Sequence, residues 1–187
     1  IATAVECHPE GVFRLMRALV LHGLFKREAD GRFANNRLSK ALLSGTWQRM
    51  REFAAYFASP SNVQAWASFE HCVRTNTNAF EHVHGKSVWD WFEDHADERE
   101  QFALAMMGIT SADAPNIAKS YPFAEVQTLC DVGGGRGTLI SELLIRHPHL
   151  KATLCDAPGV LQSAKALLTA RGVIDRVTLV PGSFFDE

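Results

Sequence analysis

The sequence predicts an α/β protein in which a helical N-terminal domain precedes the first part of a parallel sheet. Three observations carry this prediction. Apolar residues recur at helical spacing as far as about residue 120, and short apolar runs alternate with helical segments after Tyr121-Pro122. A glycine-rich turn follows the first of those short runs. We therefore predict a helical domain over residues 1–120 and a sheet domain over residues 121–187.

The first fifty residues predict helices followed by a hairpin. Apolar side chains recur every three or four positions between Pro9, which suits a first helical turn, and Gly23, which suits a helix end. Two short runs then flank Ala29-Asp30-Gly31, whose Asp-Gly step can adopt the positive φ of a tight turn. This order is a winged-helix pattern.

From about residue 48 to residue 120 the spacing of large apolar residues is helical throughout. Breaks are predicted at Ser59-Pro60-Ser61 and over residues 76–86. We expect the last helix of this region to begin at Asp97, because Asp97 and Glu100 resemble a capping box with Asp as the cap.

Residues 121–187 are predicted to form three strands and two helices in alternation. In chain order they cover residues 126–132 (strand), 138–146 (helix), 152–155 (strand), 160–170 (helix) and 177–180 (strand). Such alternation means a parallel sheet with right-handed crossovers. A sheet that stopped at the third strand would expose its edge and its apolar faces, so we expect the natural protein to continue beyond Glu187.

Composition narrows the class of protein and its partners. Hydrophobic residues make up 47% and charged residues 21%, which excludes a disordered or collagen-like chain. The formal charge of -2 predicts no global attraction to nucleic acid or anionic lipid. Because no apolar run reaches the roughly twenty residues that cross a bilayer and no secretory signal begins the chain, we expect a cytoplasmic protein. Four widely spaced cysteines predict reduced thiols.

The strongest motif is the run DVGGGRG at residues 131–137, which lies between the first predicted strand and its helix. Glycines there permit a sharp turn and let a ligand approach the main chain. Asp156 ends the next strand, and a carboxylate at that place can accept hydrogen bonds from both hydroxyls of an adenosine ribose. The dinucleotide spacing G-x-G-x-x-G would require glycine at Thr138, whereas Gly133, Gly135 and Gly137 satisfy G-x-G-x-G. The motif favours an adenosine cofactor with an amino-acid tail.

Histidines do not form a convincing metal site in the sequence. Glu81, His82 and His84 lie close together, but the stretch is predicted as a loop and lacks a third well-spaced ligand. We expect no metal.

At these motifs the chain resembles a known family, the AdoMet-dependent small-molecule O-methyltransferases of the caffeate type, especially bacterial members that act on polyketides and other aromatic natural products. The resemblance covers nearly the whole chain. It rests on RLMRALVLHGLF, AWASFEHCVRTNTNAFEHVHGKSVWDWF, FALAMM, DVGGGRG, LCDAPGV and PGSFFDE. It implies a winged-helix-type dimerisation domain, a partial Rossmann-like class I methyltransferase domain, and a homodimer formed through the N-terminal domain.

The resemblance implies S-adenosyl-L-methionine (AdoMet) as cofactor and assigns residues to it. Gly133, Gly135 and Gly137 would form the AdoMet loop, with Asp131 behind it and Asp156 on the ribose. Two further residues, Ser183 and Phe184, fall where the family binds adenine. Many members have an Asp at the position of Ser183, so the contact here would use the hydroxyl or the backbone.

The resemblance also implies an acceptor site. Phe102 and Met106 would face the methyl-transfer cleft, with Trp66, Phe80 and Trp89 nearby as an apolar wall. Aromatic and Met residues at helical spacing fit an ordinary core as well. Both interpretations stay open at this point.

Family members deprotonate the substrate hydroxyl with a histidine that would lie beyond Glu187, so we expect no catalytic residue within the chain. The chain would then be an N-terminal fragment, inactive alone, of an enzyme that methylates a hydroxyl of a small aromatic natural product without a metal. The alternative is a winged-helix DNA-binding regulator with a ligand-sensing nucleotide-binding domain. Against it, residues 12–21 offer only Arg14 and Arg17 where a reading helix should present several polar side chains.

Overall fold

The computed structural model describes residues 1–183. Within it the chain forms two compact units, Ile1–Arg51 and a second that begins at Glu52. Charge is distributed unevenly between them. Residues 1–51 contain nine Lys and Arg against four Asp and Glu, whereas residues 52–187 contain ten against seventeen.

The first unit is a helix followed by a hairpin, as the sequence predicts. A short 3-10 helix, Ala2–Val5, precedes α1 (Pro9–Leu21), and β1 (Phe25–Arg27) pairs antiparallel with β2 (Phe33–Asn35) before the short α2 (Arg37–Lys40). Helix α1 ends where the chain reaches Gly23 at φ 77° and the Leu24 N–H donates to the Leu19 carbonyl at 2.9 Å.

Six helices follow. They are α3 (Met50–Phe57), α4 (Pro60–Ala67), α5 (Phe69–Thr75), α6 (Ala79–His84), α7 (Val88–Asp94) and α8 (Ala96–Ser120). The break between α3 and α4 is confirmed, since Ser59 caps α4 by accepting the Asn62 N–H and Pro60 occupies its first turn.

Two predictions about these helices are wrong. Helix α6 occupies most of the stretch 76–86 that was expected to be a loop, because the Asn78 side chain accepts the Phe80 N–H at 2.8 Å and starts a helix there. Helix α8 begins at Ala96 rather than Asp97, because the tight connection from α7 leaves His95 as the N-cap, with its ring Nδ1 donating to the Trp91 carbonyl. Asp97 lies in the first turn instead, where a negative charge still favours the helix dipole.

The sheet confirms the predicted alternation. Strands β3 (Thr128–Val132), β4 (Lys151–Asp156) and β5 (Val177–Pro181) are parallel in the order β3-β4-β5, with α9 (Thr138–Arg146) and α10 (Pro158–Ala170) between them. A fully buried aliphatic cluster lies between sheet and helices. Its central members are Ile140, Leu144, Leu150, Leu154 and Leu168.

The predicted boundary between residues 120 and 121 falls inside the second unit, where α8 packs against α9. The assignment of separate domains to residues 1–120 and 121–187 therefore stays a prediction. None of the helices in residues 1–183 combines the length and apolar character that crossing a membrane requires.

Candidate functional site

The loop between β3 and α9 has a backbone that depends on its glycines. Gly133, Gly135 and Gly137 have φ values of 71°, 57° and 75°, in the left-handed region that side chains disfavour. The Gly133 N–H donates to the Cys155 carbonyl at 2.8 Å, which joins the start of the loop to β4. The three glycines chosen from the sequence spacing thus form one compact turn at the carboxyl edge of the sheet.

Gly134 is a loop residue whose importance the sequence pattern did not reveal. A Cβ placed on it would lie 2.2 Å from Leu154 Cδ1 and 2.6 Å from both Cγ and Oδ2 of Asp131. The loop therefore lies against the neighbouring strand more closely than any side chain permits. The only hint in the sequence is that Gly134 is a glycine at a position where the G-x-G-x-G spacing does not require one.

Asp156, the last residue of β4, holds the loop from the other side. Its Oδ2 accepts the Gly135 N–H at 2.8 Å, and its Oδ1 accepts the Ala157 N–H at 2.7 Å. Each carboxylate oxygen has a second lone pair, so the side chain can also accept hydrogen bonds from a ligand. The structure thus brings Asp156 and the glycine turn together.

Asp131, on β3, lies beneath the same turn. Burial raises the pKa of its carboxyl above the usual range, and the negative charge of Asp156 raises it further. Two carboxyl groups that repel each other create a site where a bound cation would be stabilised.

Arg136 is the one charged residue within the turn and forms an ion pair with Glu100 on α8. Its side chain is 21% exposed, whereas that of Glu100 is 55% exposed.

The two predicted adenine-binding residues follow β5. The Gly182 N–H donates to the backbone carbonyl of Asp156 at 3.2 Å, which brings the exposed Ser183 to the same edge of the sheet. Phe184 lies outside the described residues.

Two of the predicted acceptor-site residues belong to one aromatic cluster. Phe102 and Met106, on α8, pack against a buried cluster of Tyr56, Phe92 and Ala105. The Phe102 ring centroid lies 5.2 Å from that of Tyr56 and 5.3 Å from that of Phe92. Tyr56 and Phe92 were not selected from the sequence, although Tyr56 follows Phe53 at the three-residue spacing of one helix face.

The remaining wall residues differ in their surroundings. Trp89 is exposed, with its ring 5.8 Å from Phe102. Phe80 is buried and its ring is roughly perpendicular to that of Trp91, with the centroids 5.8 Å apart. Trp66 is 65% exposed, and its ring contact is with Phe69 at 6.0 Å. Trp89 thus joins the Phe102 cluster and Phe80 adjoins it through Trp91, whereas Trp66 contacts Phe69.

The histidines on α5 and α6 make contacts within the protein. The rings of His71 and His82 stack 3.7 Å apart, and His84 Nε2 donates to the Ser61 carbonyl at 3.0 Å. Within residues 1–183 no group of three His, Cys, Asp or Glu side chains is arranged to hold a metal ion.

Two family models match the chain. The model described as an O-methyltransferase domain matches residues 66–187, and the one described as an O-methyltransferase dimerisation domain matches residues 1–45. No support emerges for the DNA-binding regulator considered above.

Curated relatives and solved structures agree with this match. The chain is 35% identical to the mitomycin biosynthesis 6-O-methyltransferase of Streptomyces lavendulae over 187 residues, which are 100% of this chain and 54% of the relative. It superposes on the mitomycin 7-O-methyltransferase MmcR with a TM-score of 0.89 at 35% identity, covering 100% of this chain and 55% of the other.

A third similar protein is the O-methyltransferase NcsB1 of neocarzinostatin biosynthesis, whose structure is a complex with S-adenosylmethionine and 2-hydroxy-5-methyl naphthoic acid. Its TM-score is 0.78 at 28% identity, over 99% of this chain and 57% of the other. The chain spans about half the length of the relatives it matches. Because both family models match along one chain that also carries the glycine turn and Asp156, the protein belongs to the O-methyltransferase family that couples a dimerisation domain to a methyltransferase domain.

Proposed function

We propose that this protein is an AdoMet-dependent O-methyltransferase that methylates a hydroxyl of a small aromatic natural product. One observation carries the proposal. In a chain of the O-methyltransferase family, the Asp156 carboxylate is fixed against a glycine turn at the carboxyl edge of a parallel sheet, where such folds bind nucleosides.

The residues of the turn fit AdoMet. The free lone pairs of Asp156 suit the two ribose hydroxyls, and the Cβ-free surface of Gly133, Gly135 and Gly137 suits close approach of the amino-acid tail. The negative charge of Asp131 and Asp156 suits a cofactor that carries a sulfonium and an ammonium group. The complex of NcsB1 with S-adenosylmethionine supports the same cofactor.

The adenine contacts are part of the proposal. Ser183 would reach the base through its hydroxyl or backbone, since Gly182 anchors that segment to Asp156. We also assign Phe184 to the base on the family resemblance.

When bound, AdoMet supplies an electrophilic methyl group. The glycine turn and Asp156 would fix its position, so that proximity and alignment supply much of the rate. Phe102, Met106 and Trp89 would stack on a flat acceptor and exclude water. A general base would remove the hydroxyl proton. We assign none among residues 1–183, and we propose a lesser acceptor role for Trp66 because its contact is with Phe69.

We further propose that the first unit is of the winged-helix type and that the protein forms a homodimer through it. The match to a dimerisation domain over residues 1–45 supports this. Large apolar side chains on the surface of that unit also support it, because a monomer would leave them in water. They include Val5, Leu15, Leu21, Leu43 and Trp47.

Calorimetric titration with AdoMet tests the cofactor assignment. We expect Asp156→Ala to weaken binding by about 2–3 kcal/mol, because two ribose hydroxyls lose a charged acceptor. Asp175→Ala, at an exposed carboxylate on the 3-10 helix Ile174–Arg176, is the matched control and should bind AdoMet normally. Unchanged affinity in Asp156→Ala, or a preference for NAD over AdoMet, would contradict the assignment.

Transfer of a radiolabelled methyl group from AdoMet to a panel of phenols, naphthols and aromatic amines tests the reaction itself. We expect label in an aromatic ether from the full-length protein. Label that appears only on nitrogen or carbon acceptors would rule out the O-methyltransferase proposal while leaving the cofactor assignment intact.

A further inference from the structure

The glycine turn is held at two points by side chains. On one side, Asp156 on β4 accepts the Gly135 N–H. On the other, the guanidinium of Arg136 forms an ion pair with Glu100 on α8. The first anchor belongs to the cofactor site, whereas the second leads to a different element.

That second element carries the proposed acceptor wall. Glu100 lies two residues before Phe102 and six before Met106 on one continuous helix. Helix α8 also packs against α9, which begins at Thr138 immediately after the turn. A helix transmits a displacement along its length better than a loop, because each residue is fixed by hydrogen bonds to the next turn.

Resting on the proposed function, we infer that Arg136 is a positioning residue which couples occupation of the AdoMet turn to the acceptor wall on α8. Its guanidinium is engaged with Glu100, and its backbone lies between two glycines of positive φ, Gly135 and Gly137. Without the ion pair those glycines could move independently of α8, since glycine backbone is the least restricted. With the pair formed, a ligand that fixes the turn also fixes the N-terminal half of α8.

The size of the coupling follows from the exposure of the pair. Glu100 is 55% exposed, so solvent screens the interaction. Partly exposed ion pairs contribute up to about 1 kcal/mol, which corresponds to a change of up to about fivefold in an equilibrium. We therefore expect loss of the ion pair to weaken cofactor binding by no more than about fivefold. Amide exchange in the N-terminal half of α8 should change measurably.

Amide hydrogen exchange with and without S-adenosylhomocysteine, in the full-length protein at saturating ligand, measures this coupling directly. In the wild type we expect the ligand to slow exchange in residues 96–107 by about three- to fivefold. In Arg136→Gln and in Glu100→Gln the turn should still be protected, whereas the slowing in residues 96–107 is lost. The double variant should equal either single variant, because both remove one interaction.

Three further variants identify the ion pair as the cause. Exchanging the two charges, Arg136→Glu with Glu100→Arg, should restore the slowing, and Arg136→Lys should retain most of it. Glu70→Gln removes an exposed ion pair with Arg74 on α5 and is the matched control. The slowing there should be that of the wild type.

The other results overturn the inference in distinguishable ways. Slowing that persists in Arg136→Gln and Glu100→Gln means that the ligand reaches α8 without the ion pair. A tenfold weaker affinity in Arg136→Gln alone, with no rescue by charge exchange, means that Arg136 binds the cofactor carboxylate directly. If Arg136→Gln does not fold, Glu100→Gln tests the inference by itself, because it removes the same ion pair. Failure of the wild type to bind S-adenosylhomocysteine would refute the proposed function instead.

Discussion

Position 134 is restricted to glycine by its neighbours, not by its backbone angle. Leu154 Cδ1 and the Asp131 carboxyl lie within 2.6 Å of where a Cβ would be. We expect Gly134→Ala to lower the free energy of unfolding by about 1–3 kcal/mol, the range typical of overpacking, and to displace the turn that holds Asp156. Urea denaturation measures the first effect.

The matched control for this variant is Gly159→Ala, in the first turn of α10. No atom lies within 4 Å of the place that a Cβ would take there, and the φ of Gly159 is not positive. The substitution should therefore be neutral or should stabilise the helix by up to about 1 kcal/mol. Equal stability of Gly134→Ala and the wild type would show that Leu154 and Asp131 can withdraw.

Asp131 should make stability depend on pH. Burial raises the pKa of its carboxyl in the folded protein, so the folded state binds a proton more tightly than the unfolded state does. Stability contributed by the neutral carboxyl is therefore lost as pH rises from the unfolded pKa of 3.8 through the raised folded pKa. Asp131→Asn, which stays neutral, should gain stability relative to the wild type as pH rises from about 4 to about 7.

Thermal unfolding of both proteins across that pH range tests the prediction. AdoMet binding by Asp131→Asn should weaken at neutral pH, because a negative charge near a cationic ligand is gone. A difference in stability that is constant across the range would show that Asp131 has the same pKa in both states.

The sequence predicted some of these residues and missed others for a physical reason. Three positive-φ glycines and the strand-end Asp156 follow from local pattern, because turn geometry and strand ends are set by near neighbours. The constraint on Gly134 depends on Leu154 across the sheet, and the surroundings of Trp66 depend on how α4 and α5 pack. Spacing along one helix contains neither kind of information.

At the scale of the elements, the C-terminus of α9 is stabilised by Arg176, which is distant in the sequence. Arg176 Nη2 donates to the Leu144 carbonyl at 2.8 Å, and its Nη1 donates to the carbonyls of His147, Pro148 and Leu150 at 3.4, 3.2 and 3.2 Å. These carbonyls lie at the C-terminus of α9 and in the turn to β4, where a positive charge also favours the helix dipole.

We expect Arg176→Ala to lower the free energy of unfolding by about 2–4 kcal/mol, because several carbonyls lose a charged donor together. Arg146→Ala removes an i,i+4 pair with Glu142 on α9 but leaves Glu142 paired with Arg171, so it should cost no more than about 1 kcal/mol. Chemical denaturation compares the two. A cost for Arg176→Ala no greater than for Arg146→Ala would mean that water replaces the guanidinium at those carbonyls.

The strands and long helices were predictable because their apolar periods are strong, and α9 matches its predicted bounds. Helix α6 was not, since six residues are too few to show a helical period. Its cap at Asn78 and the packing of Phe80 against Trp91 decide the conformation instead.

At the scale of the whole molecule, the proposed dimer can be tested by substituting exposed apolar residues of the first unit. Leu21 is 86% exposed and Leu15 is 58% exposed on α1, the helix of the first unit. We expect the wild type to scatter light as a dimer with an interface above roughly 2,000 Å², and Leu15→Glu with Leu21→Glu to dissociate it by placing charges in an apolar contact. Val73→Glu, on the exposed side of α5, should leave the dimer intact. A wild-type monomer at micromolar concentration would contradict the proposal.

The uneven charge of the two units has a consequence for how such a dimer responds to ionic strength. With nine basic and four acidic residues, the first unit has a formal charge of +5 at pH 7, although the whole chain is close to neutral. A symmetric pairing of two first units brings together two units with the same net positive charge, and their repulsion is screened over about 8 Å at physiological salt. Moderate concentrations of salt should therefore tighten the dimer, and dilution into low-salt buffer should favour monomers.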